Sequence, residues 1–263
     1  MIIVKIGGGR DLNLEGVIQN LSEINGPFII VHGANALRDE LLEELGIEKK
    51  VVTSVSGYSS VFSDEKALDV MMMAYAGLKN KRIVEMCQQN GINAVGLSGL
   101  DGKVIQGKRN NGIRVRENGK LRILRDFSGK PKIINTELLE MLLEKNYIPV
   151  LCVPIIDENG YAINSENDDI VSVLTNQLNA DKVISLIEAP GFMEDVNDPD
   201  SLVKKMNHLE LEQREAQVEG RMKRKILALR KLFETAKPTV YISDGRIENP
   251  VTDALNEKGT VIR

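Results

Sequence analysis

Four short stretches of this 263-residue chain combine residue types at spacings able to do chemistry. In YAINSENDDIVSVL, residues 161 to 174, Glu166, Asp168 and Asp169 stand with Asn164 and Asn167 directly ahead of an apolar-periodic run. A carboxylate held there can orient cations around a reacting group. The same acids also fit an ordinary helix start, where negative charge complements the helix dipole by a few tenths to about 1 kcal/mol. Residue type and spacing do not choose among Glu166, Asp168 and Asp169.

In VKIGGGR, an apolar run ending in Lys5 passes into Gly7, Gly8 and Gly9. Glycines after a strand let backbone N–H groups approach an anion, and a helix start near Glu15 would add its dipole. The pattern is neither a P-loop nor GxGxxG, and a plain tight turn also fits it. IIVHGANA is a second apolar run that ends at His32-Gly33 and opens onto a helical pattern. Ligands of parallel sheets bind at strand C-termini, so two glycine-bearing ends point to one crevice. His32 reads first as a structural histidine. In VEGRMKRKILALRKLF, Lys223, Arg224 and Lys225 fall within one turn. That is the usual look of a solvated basic face, although a helix start at Gly220 followed by cations also suits polyphosphate.

Elements that alternate must position these groups. Strand-like runs at Met1 to Ile6, Pro27 to Val31, Ala94 to Leu97, Pro149 to Pro154, Lys182 to Ile187 and Thr239 to Ile242 are separated by amphipathic stretches. The stretches are Glu15 to Ile24, Ala36 to Leu45, Asp64 to Gln89, Asn135 to Lys145, Asp168 to Leu178 and Gly220 to Thr235. Such alternation predicts crossover units: an α/β fold with a largely parallel sheet covered by helices on both faces. Ile113 to Leu124 breaks the pattern, with period-two apolar positions around Asn118-Gly119, a strong hairpin signal. One domain of two lobes is expected, with its boundary near Leu178 to Asp181.

Composition narrows the partners. The chain is 42% hydrophobic and 27% charged, with a net charge of -4 and no long block of one sign. That argues against sequence-independent nucleic-acid binding and favours small-molecule work. No stretch approaches the roughly 20 apolar residues of a membrane span, and MIIVKIGGG has no signal-peptide apolar region. The two cysteines, Cys87 and Cys152, lie far apart in apolar segments, as reduced core thiols of a cytoplasmic protein would.

Taken in order, these motifs resemble the amino-acid kinase superfamily and, within it, the acetylglutamate kinase branch. The resemblance rests on KIGG, VHGAN, INSENDD, GINAVGLSGLDGKVI, LIEAPGF and GRMKRK, and it spans nearly the whole chain. GLSGLDGKV, GRMKRK and SDGRIENPVTDALNEKGTVIR look like the subgroup that phosphorylates aminoadipate or glutamate attached to a small, acidic amino-group carrier protein in lysine and sometimes arginine synthesis. The resemblance implies a three-layer sandwich, an acyl-substrate lobe over residues 1–180 and a nucleotide lobe over 181–263. It also implies in-line transfer from ATP to a side-chain carboxylate. Lys5 would neutralise the transferring phosphoryl group, Lys225 would act toward the leaving side of ATP, and Asp168 would orient both. Gly7, Gly8, Gly191, Phe192 and Met222 would serve the nucleotide, and Gly33, Ala34, Val61 and Asn164 the acyl amino acid. Gly7, Gly8 and Gly33 would do so as backbone donors. Mg²⁺ would bridge the phosphates without dedicated protein ligands.

Two departures bear on the substrate. Ala34 stands where the family usually has a second glycine, so its methyl group either obstructs backbone approach or suits a different acyl group. Val61 stands where the family has an arginine that clamps the substrate's α-carboxylate, a contact no apolar side chain replaces. Either another cation, such as Arg38 or Arg109, takes over, or the substrate differs. Free N-acetylglutamate as acceptor and a non-catalytic regulatory paralogue are the alternatives. The stripe of Leu68, Met71, Met72, Met73, Tyr75 and Leu78 fits core packing, and the resemblance adds a homodimer interface. Lys108, Arg109, Arg114, Arg116, Lys120, Arg122 and Arg125 around the hairpin either make a solvated face or meet the carrier.

Overall fold

The computed structural model describes residues 1–263 apart from Ser56, Tyr58, Asn118, Gly119, Val196, Pro199 and Glu219, and apart from the side chains at 117, 217 and 220–222. β1 (Ile2–Ile6) and β2 (Phe28–His32) are β-branched runs buried on both faces, as strands covered by helices on both sides must be. Between them lies α1 (Leu14–Ser22), whose start is capped by Asn13 Oδ1 accepting from the Gly16 N–H at 3.0 Å. α2 (Asn35–Glu44) follows β2.

The short pair β3 (Val51–Thr53) and β4 (Ser59–Val61) leads into one long helix made of α3 (Glu65–Met72), a π-helical segment (Met73–Lys79) and α4 (Asn80–Gln89). Next come β5 (Ala94–Gly99), β6 (Ile105–Arg109), β7 (Ile113–Glu117), β8 (Lys120–Leu124) and β9 (Gly129–Ile134). α5 (Thr136–Glu144), β10 (Ile148–Ile156), β11 (Ala162–Ile163) and α6 (Asn167–Gln177) complete the first two thirds. The remainder holds β12 (Lys182–Ile187), β13 (Lys205–Met206), α7 (Leu211–Gln217), α8 (Gly220–Thr235), β14 (Thr239–Asp244), α9 (Pro250–Leu255) and β15 (Thr260–Ile262).

Among the described residues, eleven strands form one sheet in the order β13-β15-β14-β12-β1-β2-β10-β6-β9, with β5 and β11 also paired to β10. The pairs around β1, β2, β10 and β12 are mostly parallel; β14 with β15, β6 with β9 and β10 with β11 are antiparallel. Alternation along the strands separates two cores. Ile3, Ile29, Val31 and Leu151 pack with α6 and α8 on one face, and Val4, Ile6, Ile30 and Val150 pack with α1 and α9 on the other. The α/β sandwich read from the periodicity is the observed fold. The strands β6, β9, β13 and β15 toward the two edges of the sheet escaped that reading, because short or half-covered strands lack a long apolar run. The Asn118-Gly119 turn lies outside the described residues, but the flanking strands pair as a hairpin from Ile113↔Leu124 to Glu117↔Lys120.

The π-helical segment has a local purpose. Residues five apart on an α-helix do not share a face, whereas i→i+5 bonding brings them onto one. The Asn80 N–H bonds to the Tyr75 carbonyl, and both side chains are buried toward the sheet. Asn80 Nδ2 donates to His32 Nε2 at 3.2 Å and to the Val150 carbonyl at 2.9 Å. His32 is fully buried; burial, opposed by its contact with the Gly33 carbonyl, pushes its pKa down to about 4. It is thus a neutral structural histidine. Burial likewise pushes the thiols of Cys87 and Cys152 up to about 12, so both are inert core groups.

Asn80→Ala is expected to strip donors from two buried acceptors, at roughly 1–3 kcal/mol for each group left unpaired. Urea denaturation should show the loss as a lower midpoint with an unchanged slope.

Candidate active site

The C-terminal ends of β1 and β2 meet, and glycine is what lets them. A Cβ on Gly8 would lie 2.6 Å from the Asn35 nitrogen and 2.9 Å from that of Ala34, and one on Gly33 would lie 2.8 Å from the Gly8 nitrogen. The two turns therefore interlock only without side chains. The Gly8 carbonyl accepts from the Ala36 N–H at 2.9 Å, which ties the first turn to the start of α2. That helix start has no side-chain cap, and Gly7, Gly8, Gly9 and Asn35 line a cavity of about 490 Å³. Its dipole and amides suit an anion.

Not every expected backbone donor is available. The Gly7 N–H bonds the Leu186 carbonyl at 3.0 Å and the Gly33 N–H bonds the Ile6 carbonyl at 2.9 Å, both extending the sheet beyond the strand ends. Of the three glycines expected to donate, only Gly8 is not committed in this way. Ala34 is buried in the core, so its methyl group does not narrow the cavity.

Period-two alternation puts Lys5 on the same face of β1 as Ile3, and α6 and α8 pack on that face through Ile170, Leu174, Ile226 and Leu232. Asp168, in the first turn of α6, is thereby brought between Lys5 and Lys225. Its Oδ1 lies 3.3 Å from Lys5 Nζ and 3.3 Å from Lys225 Nζ. Lys225 Nζ also donates to Ser185 Oγ on β12 at 3.2 Å. Both lysines are buried, at 9% and 8% exposure, and both line the cavity. Burial by itself would raise the Asp168 pKa; Lys225 and Lys5 overcome it and hold the carboxyl well below the usual range. Burial pushes the Lys225 ammonium down to about 8, against the attraction of Asp168 and with the repulsion of Lys5.

Geometry separates the three acids that spacing did not. Glu166 pairs with Arg224 and Asp169 with Lys130, one cation each, whereas Asp168 is shared by two. These pairs border a second cavity of about 560 Å³, which shares Val61, Asn164 and Asp168 with the first. Asn164 Nδ2 donates to Ser63 Oγ at 3.0 Å, and its main-chain N–H bonds the Phe127 carbonyl at 2.7 Å. Val61 ends β4 at the wall common to both cavities.

Other expected residues lie elsewhere. The cavity lining reaches Ile187, Glu188 and Ala189 and stops short of Gly191 and Phe192. Phe192 is a core side chain whose N–H donates to Thr260 Oγ1 at 2.8 Å, and Gly191 packs against the same hydroxyl. The Met222 side chain lies outside the described residues. Arg109 stacks over Phe127 at 4.1 Å and donates Nε to the Asp126 carbonyl, lining neither cavity. Asn35, Ser185 and Glu188 join the site without having been expected there, although Asn35 stands in VHGAN and Glu188 in LIEAPGF.

Comparison with known proteins accords with this geometry. Residues 1–244 match the family model described as the amino acid kinase family. The chain is 36% identical over 269 residues to a [LysW]-aminoadipate kinase of Thermus thermophilus, covering 100% of each chain. It is 37% identical over 266 residues to one of Deinococcus radiodurans, covering 100% of this chain and 91% of that one. An acetylglutamate kinase of Methanopyrus kandleri is 29% identical over 265 residues, covering 100% of each. Among solved structures, N-acetylglutamate synthase from Neisseria gonorrhoeae superposes with a TM-score of 0.78 at 18% identity, covering 99% of this chain and 58% of that one. Carbamate kinase from Giardia lamblia superposes with a TM-score of 0.67 at 16% identity, covering 99% and 97%. These structural likenesses bear on the fold. The chain belongs to the amino acid kinase family, and it is a kinase.

In the free protein, ¹³Cε-labelled Lys225 is expected to titrate near pH 8 by NMR. Asp168→Asn should lower that midpoint further, because the repulsion of Lys5 stays while the attracting charge goes. An unchanged midpoint would show that the carboxylate does not govern the lysine.

Proposed function

We propose that this amino acid kinase uses ATP to phosphorylate the side-chain carboxylate of 2-aminoadipate or glutamate whose amino group is attached to a small acidic carrier protein, forming an acyl phosphate for lysine or arginine synthesis. The observation that carries phosphoryl transfer is the pair of buried lysines sharing Asp168 beside the Gly8 turn. The carrier-linked acceptor is supported by full-length identity of 36% and 37% to two [LysW]-aminoadipate kinases. Free N-acetylglutamate is the second reading, supported by the 29% identical acetylglutamate kinase.

Phosphoryl transfer asks mainly for alignment and charge neutralisation. Three groups with two positive charges and one negative leave a surplus of one positive charge at the cavity. Lys5 faces the transferring phosphoryl group, Lys225 faces the leaving side, and Asp168 holds both ammonium heads in place before substrates arrive. The amides around Gly8 and the start of α2 take phosphoryl oxygens, and Asn164 takes the acyl amino acid. Residues 1–180 thus form the acyl lobe and 181–263 the nucleotide lobe; Asn164 and Val61 in the first, and Ile187 to Ala189 and Lys225 in the second, support that division.

No cluster of three or more metal-ligating side chains occurs among the described residues, and the Asp168 carboxylate is engaged by two lysines. Mg²⁺ therefore fits as an ion held chiefly by phosphate oxygens and water, where it neutralises charge on the nucleotide. The exposed hairpin β7–β8, with Arg114, Arg116 and Lys120 beside Leu121 and Ile123, supports contact with an acidic carrier. Exposed Met73 and Leu78 on the long helix support a homodimer. No helix among the described residues is long and apolar enough to cross a membrane; we place the protein in the cytoplasm with the ATP it uses.

Lys5→Met and Lys225→Met, which keep the buried stems, are each expected to lower kcat by about 10²- to 10³-fold. Asp168→Asn should lower kcat at least as far and also lower the melting temperature, because two buried lysines lose their shared counter-charge, whereas a mere helix-start role predicts a stability loss of a few tenths to about 1 kcal/mol with almost full activity. The wild-type kcat/KM for ATP should fall as pH rises through about 8, since only the protonated Lys225 carries charge. Hydroxamate trapping with carrier-linked aminoadipate, carrier-linked glutamate and N-acetylglutamate tests the acceptor. Turnover of N-acetylglutamate alone would promote the second reading, and ATP binding without turnover of any acceptor would leave a regulatory paralogue.

A further inference from the structure

Two groups of charges border the 490 Å³ cavity, each with two cations for one carboxylate; Lys5, Lys225, Asp168, Arg38 and Lys49 line it, and Asp39 stands behind the last two. The first is Lys5, Lys225 and Asp168. The second is Arg38, Lys49 and Asp39: Arg38 donates Nε and Nη2 to Asp39 Oδ1 at 2.9 and 2.6 Å, and Lys49 Nζ donates to Asp39 Oδ2 at 2.7 Å. The cavity's other arginine, Arg224, is paired with Glu166. A surplus positive charge therefore remains at Arg38 and Lys49, apart from the one used on the phosphoryl group. It lies on the side walled by β3 and β4: Lys49 leads into Val51, and Val51 pairs with Val61.

Arg38 is built into this position. Its side chain is only 7% exposed, held against α2 by Asp39, and its Nη1 lies 3.4 Å from Asn35 Oδ1, which also accepts from the Tyr75 hydroxyl. Of the five N–H bonds of a guanidinium, those three contacts direct three, so Nη1 and Nη2 each keep a hydrogen for a ligand. A fork of this kind matches a carboxylate and is fixed before the ligand arrives. A buried arginine outnumbering its counter-charge, beside an apolar wall at Val61, is the arrangement expected where a second anionic group of the substrate docks.

We propose that Arg38 binds the free α-carboxylate of the acyl acceptor and so makes the kinase prefer acceptors that carry this second carboxylate, with Lys49 supplying the charge that offsets Asp39. This rests on the reading of the site as a carboxylate kinase. The acceptor is then held at both ends: its α-carboxylate at Arg38 and its side-chain carboxylate near Lys5 and the Gly8 turn. Arg109, turned onto Phe127, has no part in this.

The test compares the acceptor that the wild type phosphorylates with its α-carboxamide, in which the side-chain carboxylate is intact. In the wild type the amide should raise the acceptor KM about 10- to 100-fold with little change in kcat or in the KM for ATP. In Arg38→Gln the acid should bind as weakly as the amide, so that the preference disappears. An arginine that only pairs with Asp39 would weaken acid and amide alike and keep their ratio. Lys49→Ala, at an exposed side chain, should reduce the preference several-fold without disturbing the core. Equal KM values for acid and amide in the wild type, or an undiminished preference in both variants, would overturn the assignment of Arg38 while leaving phosphoryl transfer standing. Failure of the wild type to phosphorylate any acidic acceptor would overturn the kinase reading and this inference together.

Discussion

One carboxylate shared by two buried ammonium groups is the interaction on which the rest of this structure depends. Lys5 and Lys225 would repel each other and both resist burial if Asp168 were not 3.3 Å from each. The three residues come from β1, α6 and α8, so the contact can form only when both helices are packed on the same face of the sheet. The apolar side of α6, through Ile170 and Leu174, and that of α8, through Ile226 and Leu232, drive that packing. Hydrophobic burial thus sets the site, and the charges take the positions it leaves them.

The opposite wall of the cavity obeys a different constraint. Interlocking Gly8 and Gly33 is a matter of excluded volume: any side chain at either position would sit within 3 Å of backbone nitrogen. The cost of this close approach is that the Gly7 and Gly33 amides become part of the sheet, so that the anion-binding capacity passes to Gly8 and to the start of α2. The π-helical segment supports the arrangement from below. It lets Tyr75 reach Asn35 at the cavity floor while Asn80 reaches His32 at the end of β2.

The two charge groups in the cavity are related in composition and distinct in environment. Around Asp168 the cations are lysines, compact charges able to follow a phosphoryl group during transfer; around Asp39 the principal cation is an arginine with a rigid fork. Phosphoryl transfer to one carboxylate and recognition of a second, as proposed above, call for both kinds of cation, each group one positive charge in excess of its counter-ion.

By itself the amino-acid sequence determined the fold class and most of the central elements. Periods of two and 3.6 residues are local consequences of backbone geometry, and Lys182–Ile187 and Gly220–Thr235 are observed where those periods begin and end. It also determined which motifs stand at strand ends, because glycine after an apolar run reads without tertiary knowledge. Residue type and spacing did not decide among Glu166, Asp168 and Asp169; the resemblance pointed to Asp168, and the tertiary structure is what places it against two lysines, because all three acids are in or beside the same helix turn and differ only in what packs against them. The same holds for Arg38 lining the cavity while Arg109 does not, for Phe192 as core instead of cavity lining, and for the spent amides of Gly7 and Gly33. Each depends on which distant segment lies within a few ångströms, a quantity that periodicity and residue type along one chain do not carry.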